Sequence, residues 1–312
     1  RCGYIALSYC WGDGNNVKKT MEKGPNKTLD LHQRGIPNKD LPPLFQEVVA
    51  LARGVNIPYL WIDSLCIIQD SQEDKEEEMK QMSDIYRGAL VVVVAAWAES
   101  PLDSLRRRVK PQPGQSDTWR TASLIRYEEM DLNVKFRKRD SNESDPHSLT
   151  SDATHGTPIA KRAWCFQEKL LASRCLVFVK DEVVWECRSC CLRECSGDQE
   201  HLEDMATLPF AEHEPFDGPL KYFADAEAAY SFWKTAVGDC SKRGLTVGTD
   251  RLPAISAVTS IIAEATGDHY LAGLWRKDLR AGLCWFSGDS PYPLRPNQEY
   301  IAPTWSWASL PG

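Results

Sequence analysis

The sequence lacks an excess of basic residues, and it lacks any apolar run long enough to cross a membrane. Its formal net charge is −7 and its pI is about 5.5, whereas proteins that bind nucleic acid normally carry a basic patch or stripe. The longest apolar run, residues 89–98, is the length of a strand and falls short of the roughly 18 residues of a membrane span. We therefore expect no nucleic-acid partner and no membrane span.

The cysteines lack the pattern of a disulfide framework. Eleven of them, an odd number, are spread along 312 residues, and no signal-peptide pattern opens the chain. This distribution favours free thiols and a cytoplasmic location. The cluster 187–195, with His201 nearby, offers zinc ligands, but a second distant pair of Cys or His ligands is missing. We expect no metal, and structural zinc at this cluster is the alternative.

What the sequence does have is an alternation of apolar strands and amphipathic helices up to residue 179. The predicted strands are residues 4–9, 59–63, 91–96 and 175–179, followed by an antiparallel partner at 183–187. The predicted helices are about 42–53, 72–87 and 163–172. Nearly unbroken apolar strands separated by helices indicate an α/β fold, in which helices cover both faces of a parallel sheet.

Three regions depart from this alternation. Residues 13–41 are polar and predict a loop, and residues 101–158, rich in Pro, Ser, Asp and Arg, predict a long insertion. The C-terminal region predicts two helices followed by short aromatic segments. We expect a core over residues 1–190 and a mainly helical part, residues 191–312, that packs on this core as an extension of the same unit.

Polar and aromatic residues follow the predicted strands. In open α/β sheets the ligand crevice lies beyond the carboxyl ends of the strands. The candidate substrate-binding residues at these ends are Ser8, Tyr9, Trp11, Gly12 and Asp63. A glycine admits close backbone approach, aromatic rings offer stacking surfaces, and a carboxylate accepts hydrogen bonds from a ribose or an amide. The alternatives are a purely structural turn after the first strand and, for Asp63, a carboxylate that caps backbone amides.

One predicted apolar helix carries a carboxylate, that of Glu168. With about 100° of rotation per residue, Glu168 lies at the edge of the apolar arc, on the side of Trp164, and Gln167 lies inside the arc. A glutamate that lines a pocket stabilises a developing positive charge, as glycosidase carboxylates do. The alternative is an ion pair with Arg162 or Arg174. Gln167 predicts a buried amide that ties the helix to a neighbouring loop.

Eight blocks of sequence occur in a fixed order along almost the whole chain. They are YIALSYCWG (4–12), LWIDSLCIIQD (60–70), MSDIY (82–86), RAWCFQEKLL (162–171), WEC (185–187), DRLPA (250–254), YLAGLW (270–275) and PTWSWA (303–308). Together they resemble the HET (heterokaryon incompatibility) domain of filamentous fungi. The resemblance implies a role in non-self recognition, in which HET domains trigger the death of fused incompatible cells.

HET domains are in turn similar to TIR domains, and two features of this chain match them. TIR domains carry a strand that ends in a Ser-aromatic pair, here Ser8-Tyr9, and a Trp-Cys-x-x-Glu helix after a valine-rich strand, here Trp164 to Glu168. In enzymatic TIR domains this glutamate is required to cleave NAD. The resemblance implies a TIR-like (flavodoxin-like) parallel sheet and places the catalytic role on Glu168. The insertion at 101–158 departs from the TIR pattern.

The resemblance therefore implies a fungal cell-death effector that hydrolyses NAD at the nicotinamide–ribose bond. Glu168 is expected to hold the ribose hydroxyls and to favour the positive charge at the anomeric carbon. The substrate-binding residues, which include Trp164 and Gln167, are expected to contact the dinucleotide. NAD is the substrate and no cofactor is expected. We expect activity to need self-association and an activating partner; the rival is a non-catalytic domain that signals by oligomerising.

Overall fold

The computed structural model describes residues 3–12, 28–105, 119–127, 130–137, 154, 156–179, 182–187, 191–193, 199–200, 223–245, 247–286 and 300–310. The chain divides into two units, Arg1–Ile159 with Ala172–Asp204 and Ala160–Leu171 with Met205–Gly312. The segment Ala160–Leu171 thus groups with the C-terminal unit, although in sequence it lies between strands of the first. The domain limits predicted from the sequence, 1–190 and 191–312, stay a prediction.

Strands dominate the first unit. In chain order they are β1 (Tyr4–Ser8), β2 (Tyr59–Trp61), β3 (Val91–Ala95), β4 (Trp119–Tyr127), β5 (Met130–Arg137), β6 (Arg174–Phe178), β7 (Val183–Cys187), β8 (Cys191–Arg193) and β9 (Gln199–Glu200). One sheet has the order β2-β1-β3-β6-β7-β8-β9. The first four of these strands pair in parallel, and the last three continue the sheet antiparallel. The predicted α/β fold with a parallel sheet is confirmed.

The two central strands are buried except at their first residues. Ile5 to Leu7 of β1 and Val92 to Ala95 of β3 are at most 1% exposed. Each strand has a partner on both edges, and a sheet covered on both faces accepts nearly continuous apolar runs. Full burial of one large aliphatic side chain contributes roughly 1.5–3 kcal/mol, so these runs make the sheet the main source of stability in this unit.

The helices of the first unit are α1 (Leu29–Gln33), α2 (Pro43–Gly54), α3 (Asp63–Cys66) and α4 (Gln72–Gly88). Helix α2 starts with a proline, which suits the first turn, and buries Leu44, Phe45 and Val48 in the core cluster that also contains residues of β1 and β3. Helix α4 begins after Ser71, whose hydroxyl accepts a hydrogen bond from the Asp74 amide at 3.2 Å. Both helices lie where the sequence predicts them.

Two local predictions differ from the structure, and the insertion contains a hairpin that was not predicted. Residues 28–41 contain α1 and a 3₁₀ turn at Asn38–Asp40 instead of a continuous loop. Neither element buries a residue, so the sequence has no apolar periodicity that would predict them. Residues 13–27 lie outside the described residues. Strand β2 stops at Trp61 because Asp63 already begins α3. Within the insertion, β4 and β5 pair antiparallel, and the alternation of apolar and polar residues in β5 is the signal of this hairpin.

The second unit is mainly helical in its described residues, and a helical part over residues 191–312 stays a prediction. Its elements are α5 (Ala163–Leu171), α6 (Ala226–Cys240), α7 (Ser256–Thr266), α8 (Leu279–Gly282) and the short strands β10 (Tyr270–Leu271) and β11 (Leu274–Trp275). The turn between β10 and β11 has positive φ at Ala272 and Gly273, 42° and 105°, as primed hairpin turns do. Among the described helices of the chain, none combines the length and apolarity needed to span a membrane.

The carbonyl of Gly273 joins three parts of the second unit. It accepts hydrogen bonds from the indole Nε1 of Trp233 at 3.2 Å and of Trp307 at 3.0 Å, which uses both lone pairs of one carbonyl oxygen. A Cβ at position 273 would lie 2.7 Å from Ser306 Oγ and from Trp307 Nε1. Glycine is therefore required here for its φ and for the close approach of the C-terminal segment.

A buried carboxylate, Asp268, organises the neighbouring turn. Its side chain is 7% exposed and accepts hydrogen bonds from the Tyr230 hydroxyl at 2.8 Å, the Lys277 amide at 2.9 Å and the His269 amide at 2.7 Å. Burial favours the protonated acid, but these hydrogen bonds outweigh it and hold the pKa of Asp268 below its usual value. Burial, and then the hydrogen bond to Asp268, raises the pKa of Tyr230 to about 12.

We expect Tyr230→Phe to lower the free energy of unfolding by about 1–3 kcal/mol, because it removes a hydrogen-bond donor from a buried carboxylate. Tyr300→Phe is the matched control, since that ring is 77% exposed. Urea denaturation at pH 7 measures both. Equal stability of the two variants would contradict the role given to this hydroxyl.

The pH dependence of wild-type stability has a defined sign at each end. The contribution of Asp268 is complete above the unfolded-chain pKa of about 3.9 and is lost as the pH falls through the lower folded value. The contribution of Tyr230 is complete below a pH of about 10 and is lost as the pH rises towards its folded pKa of about 12. Urea titrations of Tyr230→Phe should show a smaller alkaline loss than wild type, because Tyr4 and Tyr270, whose pKa values are also raised, remain in the variant.

Candidate functional site

The carboxyl ends of β2, β1 and β3 lie side by side in the first unit, because β1 pairs in parallel with both neighbours. The chain order reverses at β1, which has β2 on one edge and β3 on the other. In open α/β sheets this reversal is where the ligand crevice lies. The structure therefore brings the predicted residues of the first unit to one edge of the sheet.

A chain of hydrogen bonds ties the end of β1 to α3. The Trp11 indole Nε1 donates to Asp63 Oδ2 at 2.7 Å, and Asp63 Oδ1 accepts from the Ser64 amide at 2.6 Å. The Tyr9 hydroxyl donates to Ser64 Oγ at 2.9 Å. Because an indole nitrogen only donates, and a charged acceptor strengthens the bond, Asp63 fixes the orientation of the Trp11 ring.

Asp63 itself occupies the first position of a four-residue helix. Its contact with the Ser64 amide is the capping role that the sequence analysis left open as the alternative to ligand binding. A carboxylate offers about four lone-pair directions, so capping and a contact to a bound sugar are compatible. Binding of a ligand by Asp63 stays a prediction.

Gly12 makes a close backbone approach to Ser100, and close approach of a ligand to this glycine stays a prediction. Its φ is +65°, and a Cβ at this position would lie 2.6 Å from the Cβ of Ser100. The Asp103 carboxylate accepts from the amides of Glu99 and Ser100, each at 2.9 Å. The loop after β1 and the loop after β3 are thereby held against each other at the strand ends.

The structure adds a residue that the sequence analysis missed, Glu47 on α2. Its two carboxylate oxygens accept from the Ser104 hydroxyl at 2.6 Å and the Leu105 amide at 2.7 Å. The Trp97 indole donates to the Leu105 carbonyl at 2.8 Å, which fixes the same loop from its other side. A glutamate on an amphipathic helix resembles any solvated residue, so the sequence carries no signal for this role.

Ser8 and Tyr9 are buried at the end of β1, with exposures of 1% and 3%. The Tyr9 ring packs edge-on against Phe45 of α2, with ring centroids 5.2 Å apart. Trp11 is only partly buried and packs at the border of the core cluster. Among the first-unit candidates, Trp11 therefore has the ring most suited to contact a ligand, and the stacking role of Tyr9 stays a prediction.

Helix α5 presents an unexpected face to the protein interior. Its buried residues are Ala163, Cys165, Gln167, Glu168 and Leu171. Glu168 is 5% exposed and lies within the buried face, whereas the sequence places it at the edge of an apolar arc. The predicted apolar arc of the helix was wrong, because Phe166 and Leu170, which belong to it, are only partly buried. Burial of a carboxylate costs free energy unless other groups compensate it. The presence of Glu168 on the buried face therefore constrains how this helix packs.

Two side chains beside Glu168 tie α5 to the rest of the second unit. The Trp164 indole Nε1 donates to Asp250 Oδ2 at 3.2 Å, and Gln167 Oε1 accepts from the Ala257 amide at 3.4 Å. Gln167 is thus the predicted buried amide, with the first turn of α7 as its partner. Asp250 was missed as a partner, although it opens the DRLPA block (250–254) on which the family resemblance partly rests.

The start of α5 is anchored through its backbone as well. The Ala163 amide donates to the Gly244 carbonyl at 3.1 Å, and the Gly244 amide donates to the Lys161 carbonyl at 2.6 Å. The Arg243 guanidinium lies 5.1 Å from the centre of the Phe166 ring, within the range of a cation–π contact. These contacts define where the helix begins independently of its side-chain tethers.

The cysteine cluster 187–195 offers candidate metal ligands. Over the described parts of the chain, no group of three or more His, Cys, Asp or Glu side chains could hold a metal ion. Cys187 and Cys191 are described, but Cys190, Cys195 and His201 lie outside the described residues. The expected absence of a metal therefore stays a prediction.

Comparison with known proteins adds information that is independent of the geometry. The family model for heterokaryon incompatibility protein (HET) matches residues 4–168, just over half of the chain. The chain is similar to heterokaryon incompatibility protein 6, OR allele, of Neurospora crassa, with 34% identity over 109 residues. These residues are 33% of this chain and 15% of that relative, so only a small part of the relative is spanned. No solved structure matches.

We expect Gly12→Ala to lower the free energy of unfolding by about 1–3 kcal/mol, since a side chain at positive φ is strained and its Cβ would meet Ser100. Gly54→Ala is the control, because position 54 ends α2 and has open space around it. That change should leave stability unchanged or raise it by up to about 1 kcal/mol. Chemical denaturation measures both, and an equal effect would contradict the close approach of the two loops.

Proposed function

The chain belongs to the heterokaryon incompatibility (HET) family, and from this membership we propose that it is a cell-death effector domain of fungal non-self recognition that hydrolyses NAD at the nicotinamide–ribose bond. The observation that carries the proposed reaction is the buried Glu168 on the Trp-Cys-x-x-Glu helix α5, 5% exposed. The proposed location is cytoplasmic, where NAD is accessible.

The strand order supports a TIR-like, flavodoxin-like core. With the β4–β5 hairpin set aside, the parallel strands stand in the order second, first, third, fourth. This is the order of flavodoxin-like sheets, which bind their ligand at the switch point between the first and third strands. The neighbouring position is taken here by β7, which runs antiparallel. In the proposal, the Trp11 and Gly12 loop contributes to nucleotide binding at the switch point.

The proposed chemistry breaks one C–N bond. Nicotinamide leaves as a neutral molecule with the bonding electron pair, and positive charge develops at the anomeric carbon. Water then adds its oxygen to that carbon and releases a proton, which yields ADP-ribose. Glu168 is proposed to hold the ribose hydroxyls and to stabilise the positive charge. A carboxylate in a buried site does this more strongly than one in water, because the surrounding dielectric is low.

The remaining candidates divide into contact and positioning roles. Ser8, Gly12 and Asp63 are proposed to contact the sugar or the nicotinamide amide, and Trp11 to stack on a ring of the dinucleotide. Tyr9, Trp164 and Gln167 were expected to contact the substrate too, but their hydrogen bonds to Ser64, Asp250 and Ala257 favour positioning roles. A constitutive NAD hydrolase would kill its own cell, so we propose that self-association, driven by an activating partner, switches the activity on.

The reaction is tested by nicotinamide release from NAD by the purified chain. We expect Glu168→Gln, which keeps the size of the side chain and removes its charge, to lower kcat by about 100-fold or more. Glu264→Gln is the matched control, since Glu264 is an exposed glutamate on α7 of the same unit. Each protein is assayed as purified and when clustered through an appended oligomerising tag.

The outcomes separate catalysis from signalling by assembly. Equal nicotinamide release by wild type and Glu168→Gln would remove Glu168 from the mechanism. No release by the clustered wild type would overturn NAD cleavage by this chain. If Glu168→Gln also retained the ability to kill fungal cells, the non-catalytic, oligomerising domain would become the better account.

A further inference from the structure

We infer that Asp250 is a positioning residue for Glu168 and acts through the indole of Trp164. The inference rests on the proposed function, in which Glu168 is the catalytic group. It concerns one contact, the hydrogen bond of 3.2 Å from Trp164 Nε1 to Asp250 Oδ2. All three residues belong to the second unit.

The spacing on α5 connects Trp164 to Glu168. Residues four apart on an α-helix lie on the same face, one turn above the other. Helical side chains also lean towards the N-terminus of their helix, so the Glu168 side chain leans towards the turn that carries Trp164. From this spacing we expect the orientation of the indole to limit the space available to the Glu168 carboxylate.

The contact to Asp250 selects that orientation. An indole nitrogen is a donor only, and a carboxylate is a stronger acceptor than a carbonyl. Trp164 is partly buried, so packing does not enclose its ring on every side. The directional bond to Asp250 adds the constraint on ring orientation that packing leaves open.

Asp250 is itself held in place from two sides. It lies in the 3₁₀ turn Gly248–Arg251, where its amide donates to the Val247 carbonyl at 3.1 Å. The next residue, Arg251, donates from its guanidinium to the carbonyl of Leu310. The backbone that carries the Asp250 carboxylate is therefore fixed by contacts that do not involve Trp164.

Loss of Asp250 is expected to disorient one ring while α5 keeps its place. The helix retains its backbone bonds to Gly244 and the Gln167 contact to Ala257. A misplacement of about 1 Å near reacting groups lowers rates by up to about 100-fold. The structure thus predicts a defect in turnover that is larger than the defect in folding.

Steady-state NAD hydrolysis tests this with four variants. Asp250→Ala and Trp164→Phe should each lower kcat by about 10-fold to 100-fold with KM within about twofold of wild type. Asp250→Asn keeps an acceptor oxygen and should restore kcat to within about threefold of wild type. The double variant Asp250→Ala with Trp164→Phe should be no worse than the poorer single variant, because both remove the same bond.

The control separates positioning from general destabilisation. Asp225→Ala removes the N-cap of α6, whose carboxylate accepts from the Ala228 amide at 2.8 Å, and should lower the melting temperature without lowering kcat. If Asp225→Ala lowered kcat as much as Asp250→Ala at equal loss of melting temperature, the inference would be overturned. Additive losses in the double variant, or no rescue by Asp250→Asn, would overturn it as well.

A spectroscopic measurement keeps the inference testable if NAD is not the substrate. The side-chain carboxyl ¹³C signal of Glu168, assigned by its absence in Glu168→Gln, should move in Asp250→Ala and in Trp164→Phe. It should return to the wild-type position in Asp250→Asn and stay unmoved in Asp225→Ala. An unmoved signal in Asp250→Ala overturns the positioning role, whereas absent NAD cleavage with a moved signal overturns only the proposed reaction.

Discussion

Burial of β1 from Ile5 to Ser8 is the constraint on which the first unit depends. The strand is flanked by β2 and β3 on its edges, and these four residues are at most 1% exposed, so the strand offers no solvated position for a polar group over this length. Solvated polar groups therefore lie beyond the carboxyl end, where Trp11 contacts Asp63 and Gly12 lies against Ser100 of the loop that follows β3. The hydrogen bonds at this edge, together with the carboxylates of Glu47 and Asp103, hold the loops at the strand ends in place.

Much of this arrangement could be predicted from the sequence, and the exceptions have physical causes. Strands β1, β3 and β6 can be recognised as nearly unbroken apolar runs, and helices α2 and α4 by apolar residues that repeat with the helical period. Helix α1 cannot be recognised in this way, since it buries nothing, and neither can α3, since four residues are too few for periodicity. The strand-end candidates followed from topology. Glu47 could not be found, because its role comes from a partner loop that is distant in sequence.

The helix that carries Glu168 shows the limit of reasoning from an apolar arc. Gln167 and Glu168 are buried while Phe166 and Leu170 are only partly so, because specific tethers, and not hydrophobicity alone, set the rotation of α5. The blocks that carried the family resemblance turn out to contain these tethers: Trp164 in one block and Asp250 in another hydrogen-bond each other. Two blocks that are distant in sequence are therefore joined by a side-chain contact in the fold.

The carbonyl of Gly273 extends this idea to three positions. Trp233 and Trp307, 74 residues apart in the chain, donate to the same oxygen, and neither indole has a substitute side chain of equal reach. In related chains these three positions should change together. A chain that loses one of the two tryptophans loses one of the two hydrogen bonds to this carbonyl, and the other tryptophan and the glycine at position 273 are then less strictly required. The second unit should therefore evolve at these sites by joint replacement, with intermediate combinations rarely surviving.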